Sequence, residues 1–240
     1  MEEAPALTLP KEINQTLETC SPKEILQWGF DVFGNDIAIG TGFGLSGVVL
    51  SYLGAQVCPD ATFFYLDTHL LFPESHALRR RLERLLGIEF ERVTAESVLP
   101  DCETRPLPQQ WTFDHDGCCF SRKVAPLRKF LYGRGLWVTG VRRDQAHTRE
   151  GLPIVVWDPR CKTYKIHPLA VWTSEQVREF IREHDLPYNE LHDKGYPSVG
   201  CIPCTRPVRN GEDQRAGRWA GTKKTECGIH TPMDHLYSPD

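Results

Sequence analysis

Ile37-Ala38-Ile39-Gly40-Thr41-Gly42-Phe43-Gly44-Leu45-Ser46-Gly47-Val48-Val49 runs from an apolar triplet through a glycine-rich turn into an apolar stripe. The triplet reads as a short buried strand. After the turn, Val48, Val49, Tyr52 and Leu53 recur at helical spacing. A strand, a Gly/Thr turn and a helix start direct backbone N–H groups and the positive end of a helix dipole at whatever lies above the turn. The turn lacks the Gly-Lys-Ser/Thr of a Walker loop. By itself it suits an ordinary tight turn as well as an anion-binding loop.

Working outward, strand and helix signals alternate. Ser21-Pro22-Lys23-Glu24 is a helix start, with a Ser cap, Pro at the first helical position and Glu three residues after the cap. Thr62 to Leu66 reads as a second buried strand. Pro73 to Leu86 has helical periodicity and stops at Gly87, a C-terminal cap signal. Ile88 to Val93, Leu136 to Thr139 and Pro153 to Trp157 read as further strands. Thr173-Ser174-Glu175-Gln176 caps a helix to about His184. This alternation predicts an α/β fold with an open, mostly parallel sheet and helices on both faces. Residues 1–20 read as a loosely ordered lead-in and residues 21–204 as the main domain. Residues 205–240 read as a flexible tail, because Thr205 to Lys224 has three glycines, no apolar periodicity and six basic residues against two acidic.

The 240 residues, 40% hydrophobic, suffice for one sizeable core. No apolar run is long enough to span a membrane, and the N-terminus lacks the form of a secretion signal. A net charge of -4 disfavours nonspecific nucleic-acid binding. The expectation is a cytoplasmic chain with neither membrane nor nucleic-acid partners; a homo-oligomer stays open. Nine cysteines without a secretion signal suggest metal or redox chemistry rather than disulfides.

Four of those cysteines form two tight pairs, Cys118-Cys119 and Cys201-Ile202-Pro203-Cys204. Thiolates select zinc or iron–sulfur, and the tandem pair fits neither zinc-finger nor ferredoxin spacing. Zinc, iron and an inert buried pair all stay open at this level. Cys227 stands apart in Glu226-Cys227-Gly228-Ile229-His230, near Lys223 and Lys224. Positive surroundings favour a reactive thiolate, and an incidental surface cysteine fits as well. Cys20, Cys58, Cys102 and Cys161 have no partner pattern. Leu66-Asp67-Thr68 ends the second strand, where a ribose contact and a simple turn cap are equally natural. Arg122, Lys123, Arg128, Arg142, Arg143 and Arg149, then Arg206, Arg209, Arg215 and Arg218, gather around the thiols. Any one of these fits a solvated surface charge, whereas the cluster suits sulfate or phosphate oxygens.

Together, Cys118-Cys119 with Arg122-Lys123-Val124 and Pro126-Leu127, Val138-Thr139-Gly140 with Arg142-Arg143-Asp144-Gln145, Gly200-Cys201-x-x-Cys204-Thr205, and Glu226-Cys227-Gly228-Ile229-His230 resemble the assimilatory adenosine 5′-phosphosulfate (APS) reductases. These are the iron–sulfur branch of the phosphoadenylylsulfate (PAPS) reductase family. The resemblance covers about Gly40 to His230 and implies a PP-loop type fold of the adenine nucleotide alpha hydrolase-like class. It implies thioredoxin-dependent reduction of APS to sulfite and AMP in sulfate assimilation and cysteine biosynthesis, through a Cys-S-sulfonate on Cys227. Cys118, Cys119, Cys201 and Cys204 would hold a 4Fe-4S cluster. Thr41, Gly42, Phe43, Gly44, Leu66, Asp67 and Gly140 would form the nucleotide pocket. Lys123, Arg143, Arg149, Arg215 and Arg218 would hold the phosphosulfate, with His115 and His230 approaching the substrate. The alternatives are the same chemistry on the 3′-phosphorylated substrate, an ATP-dependent adenylating or thiolation enzyme, and a zinc-binding module. The adenylating class wants Ser-Gly-Gly-x-Asp-Ser at the loop, and this chain lacks the Asp-Ser. It departs from the family in three places: Gly40-Thr41-Gly42 replaces serines, Leu45-Ser46-Gly47 replaces an acidic pair, and His69 stands where Gly is usual.

Overall fold

The computed structural model describes Leu9, residues 12–98 and residues 106–230. Cys102, much of the lead-in and tail residues 231–240 lie outside them. Strands β1 (Ile37–Gly40), β2 (Thr62–Leu66), β3 (Glu91–Val93), β4 (Leu136–Thr139), β5 (Val155–Asp158) and β6 (Thr163–Ile166) form one sheet of order β3-β2-β1-β4-β6-β5. Only β5, antiparallel to β6 at one edge, breaks the parallel pattern.

Side-chain alternation along the strands builds two cores. Ile37 and Ile39, Phe63 and Tyr65, and Leu136 and Val138 face one side, where they join Ile25 and Leu26 of α2 (Pro22–Phe33), Val48 and Leu50 of α3 (Leu45–Val57), Leu78 and Leu82 of α4 (Pro73–Leu86), and Val177 and Ile181 of α8 (Ser174–Glu183). Ala38, Phe64 and Trp137 face the other side, against Leu127 and Leu131 of α7 (Ala125–Leu131). The expected open sheet with helices on both faces is therefore borne out.

Among the described residues three short α-helices complete the set: α1 (Ile13–Leu17), α5 (Ala95–Val98) and α6 (His115–Cys119). A π-helical turn, Phe120–Val124, joins α6 to α7 and carries Arg122 and Lys123. Such insertions often sit at functional sites. The expected caps form: Ser21 with Glu24, and Thr173 with Gln176, each make reciprocal capping boxes, and Gly87 ends α4 in the left-handed region at φ 67. Strand β6 was not foreseen; it carries a buried Lys165 where sequence suggests an exposed position. Among residues 205–230 no helix or strand forms. Turns there are tied down by a Thr205–Arg218 bridge, an Arg206–Glu212 ion pair at 2.8 Å and the buried Trp219.

Candidate active site

Strand order reverses between β1 and β4, and ligands in open α/β sheets lie at such switch points beyond the strands' carboxyl ends. A cleft of about 320 Å³ lies there. Its floor is the turn after β1, with Thr41, Gly42 and Gly44, and the turn after β4, with Gly140. Thr41 Oγ1 accepts the Phe43 N–H at 3.0 Å, holding the turn in shape. Phe64, Leu66 and Trp137 make an apolar wall, suited to a flat base.

Lys123, Arg149, Arg215 and Arg218 all reach this cleft, together with Cys227 and His230 of the tail. His230 stacks on Trp137 with centroids 5.5 Å apart and planes at 19°. Burial, and then the nearby Lys165 and Arg149 charges, hold His230 neutral by pushing its pKa well down. Thr139 Oγ1, His230 Nδ1 and Arg218 Nε are buried without a hydrogen-bond partner. All three residues line the cleft and leave polar groups for a ligand. Arg149 and Arg215 both hold Glu226, at 2.8 and 3.0 Å. Burial lowers the Arg215 pKa, against the pull of Glu226.

A second, smaller cavity is lined by Cys118, Cys119, Cys201 and Cys204, with Arg122, Lys123, Arg218 and Trp219 around them. Helix α6 brings the first pair, its start fixed by the Asp114 carboxylate accepting the Gly117 N–H at 2.8 Å. The second pair is pinned to the turn after β2 by a Leu71–Cys201 bridge and by Ile202 N–H donating to Leu70 at 2.8 Å. Burial opposes ionisation of Cys201, yet Lys123, the Thr68 hydroxyl and Arg218 outweigh it and lower its pKa. Burial pushes Cys119 up to about 12, with Lys123 opposing. Burial disfavours the Lys123 charge, but the thiols of Cys201, Cys227 and Cys119 raise its pKa. Among the described residues no three His, Cys, Asp or Glu side chains converge as a ready metal-binding group. The donor set itself, four soft thiols from two segments with cations to offset their charge, fits a thiolate-ligated centre.

Four expected residues lie elsewhere. Arg143 turns away from the cleft to pair with Glu18, donating at 2.9 Å through Nη1, and to the Leu152 carbonyl at 2.8 Å. Its neighbour Arg142 faces the cleft instead and binds Ser46, Ser174 and Asp144. Extended backbone at Arg142 (φ -128, ψ 155) puts successive side chains on opposite sides. Phe43 lends the turn its backbone only; its ring is core, 5.2 Å from Tyr65. Asp67 does not line the cleft; it accepts from Arg92 at 2.7 Å and from the His69 N–H at 2.8 Å. His115, at the outer start of α6, lines neither cavity. Residue 69 adopts φ 59, the left-handed backbone that glycine favours. Arg178 and His192 line the cleft unforeseen, and so does Gln145, which the Arg142-Arg143-Asp144-Gln145 motif contained without a site role.

Residues 36–207 match the phosphoadenosine phosphosulfate reductase domain, and the chain belongs to that family. It is similar to an adenosine 5′-phosphosulfate reductase of Salinibacter ruber, 46% identical over 91% of this chain and 87% of that protein. An adenosine 5′-phosphosulfate reductase of Staphylococcus epidermidis is 41% identical over 91% of this chain and 90% of that protein. The resemblance read from the motifs is thus borne out. Among solved structures, phosphoadenylyl-sulfate reductase from Candida auris superposes with a TM-score of 0.70 at 28% identity, covering 85% of this chain and all of that one. The Candida glabrata FMN adenylyltransferase shares the fold alone, with a TM-score of 0.54 at 16% identity, over 92% of this chain and 80% of that one. Among the described residues no helix is long and apolar enough to cross a membrane.

Proposed function

We propose that this chain reduces adenosine 5′-phosphosulfate to sulfite and AMP, with Cys227 as nucleophile and a dithiol protein of the thioredoxin type as reductant. One observation carries the reading: Cys227 lines the same cleft as the glycine turn, Lys123, Arg149, Arg215 and Arg218. A thiol, a base-sized apolar wall and a cluster of cations in one cleft suit a nucleotide whose terminal group is a sulfate.

The Cys227 thiolate attacks the sulfonyl sulfur. An S–S bond forms, the S–O bond to the phosphate breaks, and AMP leaves with that electron pair. Covalent catalysis divides one hard transfer into two easier ones. Lys123 and the arginines offset the charge that develops on the leaving phosphate and on the sulfonyl oxygens. A thiolate of the reductant then attacks Cys227 Sγ and expels sulfite. Its second thiol resolves the mixed disulfide, so the dithiol loses two electrons and the sulfur gains two.

Cys118, Cys119, Cys201 and Cys204 would hold a 4Fe-4S cluster. Bound there, the cluster would supply a compact charged centre that orders Lys123, with electrons coming from the dithiol. Lys123 and Arg218 line both cavities, so the thiol set and the anion site share their cations.

The test is a single-turnover reaction with adenosine 5′-phosphosulfate and no reductant. Wild type accumulates a sulfonated Cys227 peptide and releases one AMP per chain; Cys227→Ser gives neither, yet binds AMP. AMP release by Cys227→Ser at the wild-type rate would overturn the assignment. Parallel assays with the 3′-phosphorylated substrate and with ATP test the rival substrates.

A further inference from the structure

Glu226, the residue before Cys227, is held by two arginines at once. Arg149 donates through Nε at 3.0 Å to one carboxylate oxygen and through Nη2 at 2.8 Å to the other. Arg215 donates through Nη2 to the second oxygen at 3.0 Å and to the Thr225 carbonyl at 3.0 Å. The third nitrogen of Arg149, Nη1, donates to Gln145 Oε1 at 2.5 Å. The side chains of Arg149, Glu226 and Arg215 are only 8%, 10% and 18% exposed. Among the described residues lining the cleft, Glu226 is the one carboxylate, set against Lys123 and five arginines.

The side-on fork of an arginine that grips a carboxylate grips a phosphate or sulfate in the same way. While Glu226 occupies that fork, Arg149 cannot offer it to a ligand. Two arginines this buried would be costly without an anion, and Glu226 supplies one. An incoming sulfonucleotide carries more negative charge than a single carboxylate, so its attraction to the same cations is greater.

Resting on the reading of the cleft as a sulfonucleotide site, we propose that Glu226 is an internal stand-in for the substrate's anionic group. It holds the Arg149–Arg215 pair in the empty cleft, and the substrate displaces it. The exchange ties ligand arrival to a change in the chain beside Cys227. Other contacts still hold the tail on either side: Lys224 with Asp116 before it, and Arg160 reaching the Gly228 carbonyl at 3.4 Å after it.

Calorimetric titration of the iron-loaded protein in a Cys227→Ser background tests this. Glu226→Gln is expected to bind adenosine 5′-phosphosulfate and AMP about tenfold more tightly, a change of about 1.4 kcal/mol, and to bind uncharged adenosine as before. Equal or weaker binding of the anionic ligands overturns the exchange, as does an equal gain for adenosine. In otherwise unaltered protein, inorganic sulfate is expected to speed alkylation of Cys227 by neutral iodoacetamide at least threefold, read on the peptide carrying it. An unchanged rate also overturns the proposal. Failure of wild type to form the sulfonated Cys227 would instead count against the reductase reading, and the sulfate and AMP results would stand apart from it.

Discussion

Gly47→Ala tests how the glycine turn is built. Gly47 lies in the first turn of α3, where alanine would ordinarily help by up to about 1 kcal/mol. Here a Cβ would sit 2.3 Å from Thr41 Oγ1, far inside contact distance. The chain has two ways out. Rotating Thr41 takes its oxygen from the buried Phe43 N–H, at a cost of about 1–3 kcal/mol. Shifting α3 away from the turn strains a close-packed core, at a cost of about 1–3 kcal/mol. Phe43 already has φ 58, so the turn has little freedom to adapt. Either cost outweighs the helical gain, and the expected net loss is about 1–2 kcal/mol, a factor of about 5–30 in an equilibrium. Urea unfolding should show a lowered midpoint at unchanged slope, and AMP titration should show weaker binding. The double variant Thr41→Ala/Gly47→Ala should be more stable than the sum of the two single losses, because the clash then has no partner. A Gly47→Ala protein as stable as wild type and binding AMP equally well would refute the close approach of turn and helix.

Two further outcomes follow from the same geometry. Cys201→Ser should lose iron and visible absorbance in protein prepared without oxygen, counted by metal analysis; a colourless wild type holding zinc would refute the cluster. Burial works to raise the Asp67 pKa, but the Arg92 and His69 hydrogen bonds win and lower it. The stability it contributes is therefore full above its unfolded value of about 3.9 and lost as pH falls through the folded value. Asp67→Asn should show a shallower acid loss below about pH 4 in urea midpoints, and an identical acid limb would refute the pairing.

Much of this was legible because period and caps agreed. Ile37 to Val49 carried both the strand and the helix, and the boxes at Ser21 and Thr173 form as their spacing required. The motif grouped Cys118, Cys119, Cys201 and Cys204, and all four line one small cavity, since two tight pairs need only two loops to meet. What stayed hidden depends on direction and distance. Arg142 and Arg143 are equal in sequence, and only the extended backbone between β4 and the following turn decides which one enters the cleft. Asp67 and Thr68 sit at the right strand end, yet Arg92 on the neighbouring β3 claims the Asp67 carboxylate. Strand β6 was missed because a lysine inside a strand reads as exposed, whereas Lys165 is only 3% exposed. The lack of periodicity led to the reading of a flexible tail; residues 205–230 form no helix or strand, and Trp219 and the ion pairs that pack them were not deducible from composition.

The stacking of His230 on Trp137 has an optical consequence. Trp137 also has the Lys165 ammonium 4.3 Å from its ring, so the indole senses an imidazole from the tail and a cation from the sheet. Lifting the tail away would remove the imidazole and open that face of the ring to water. With the other five tryptophans replaced, the emission of this one indole would give the tail's position in real time, with no dye attached.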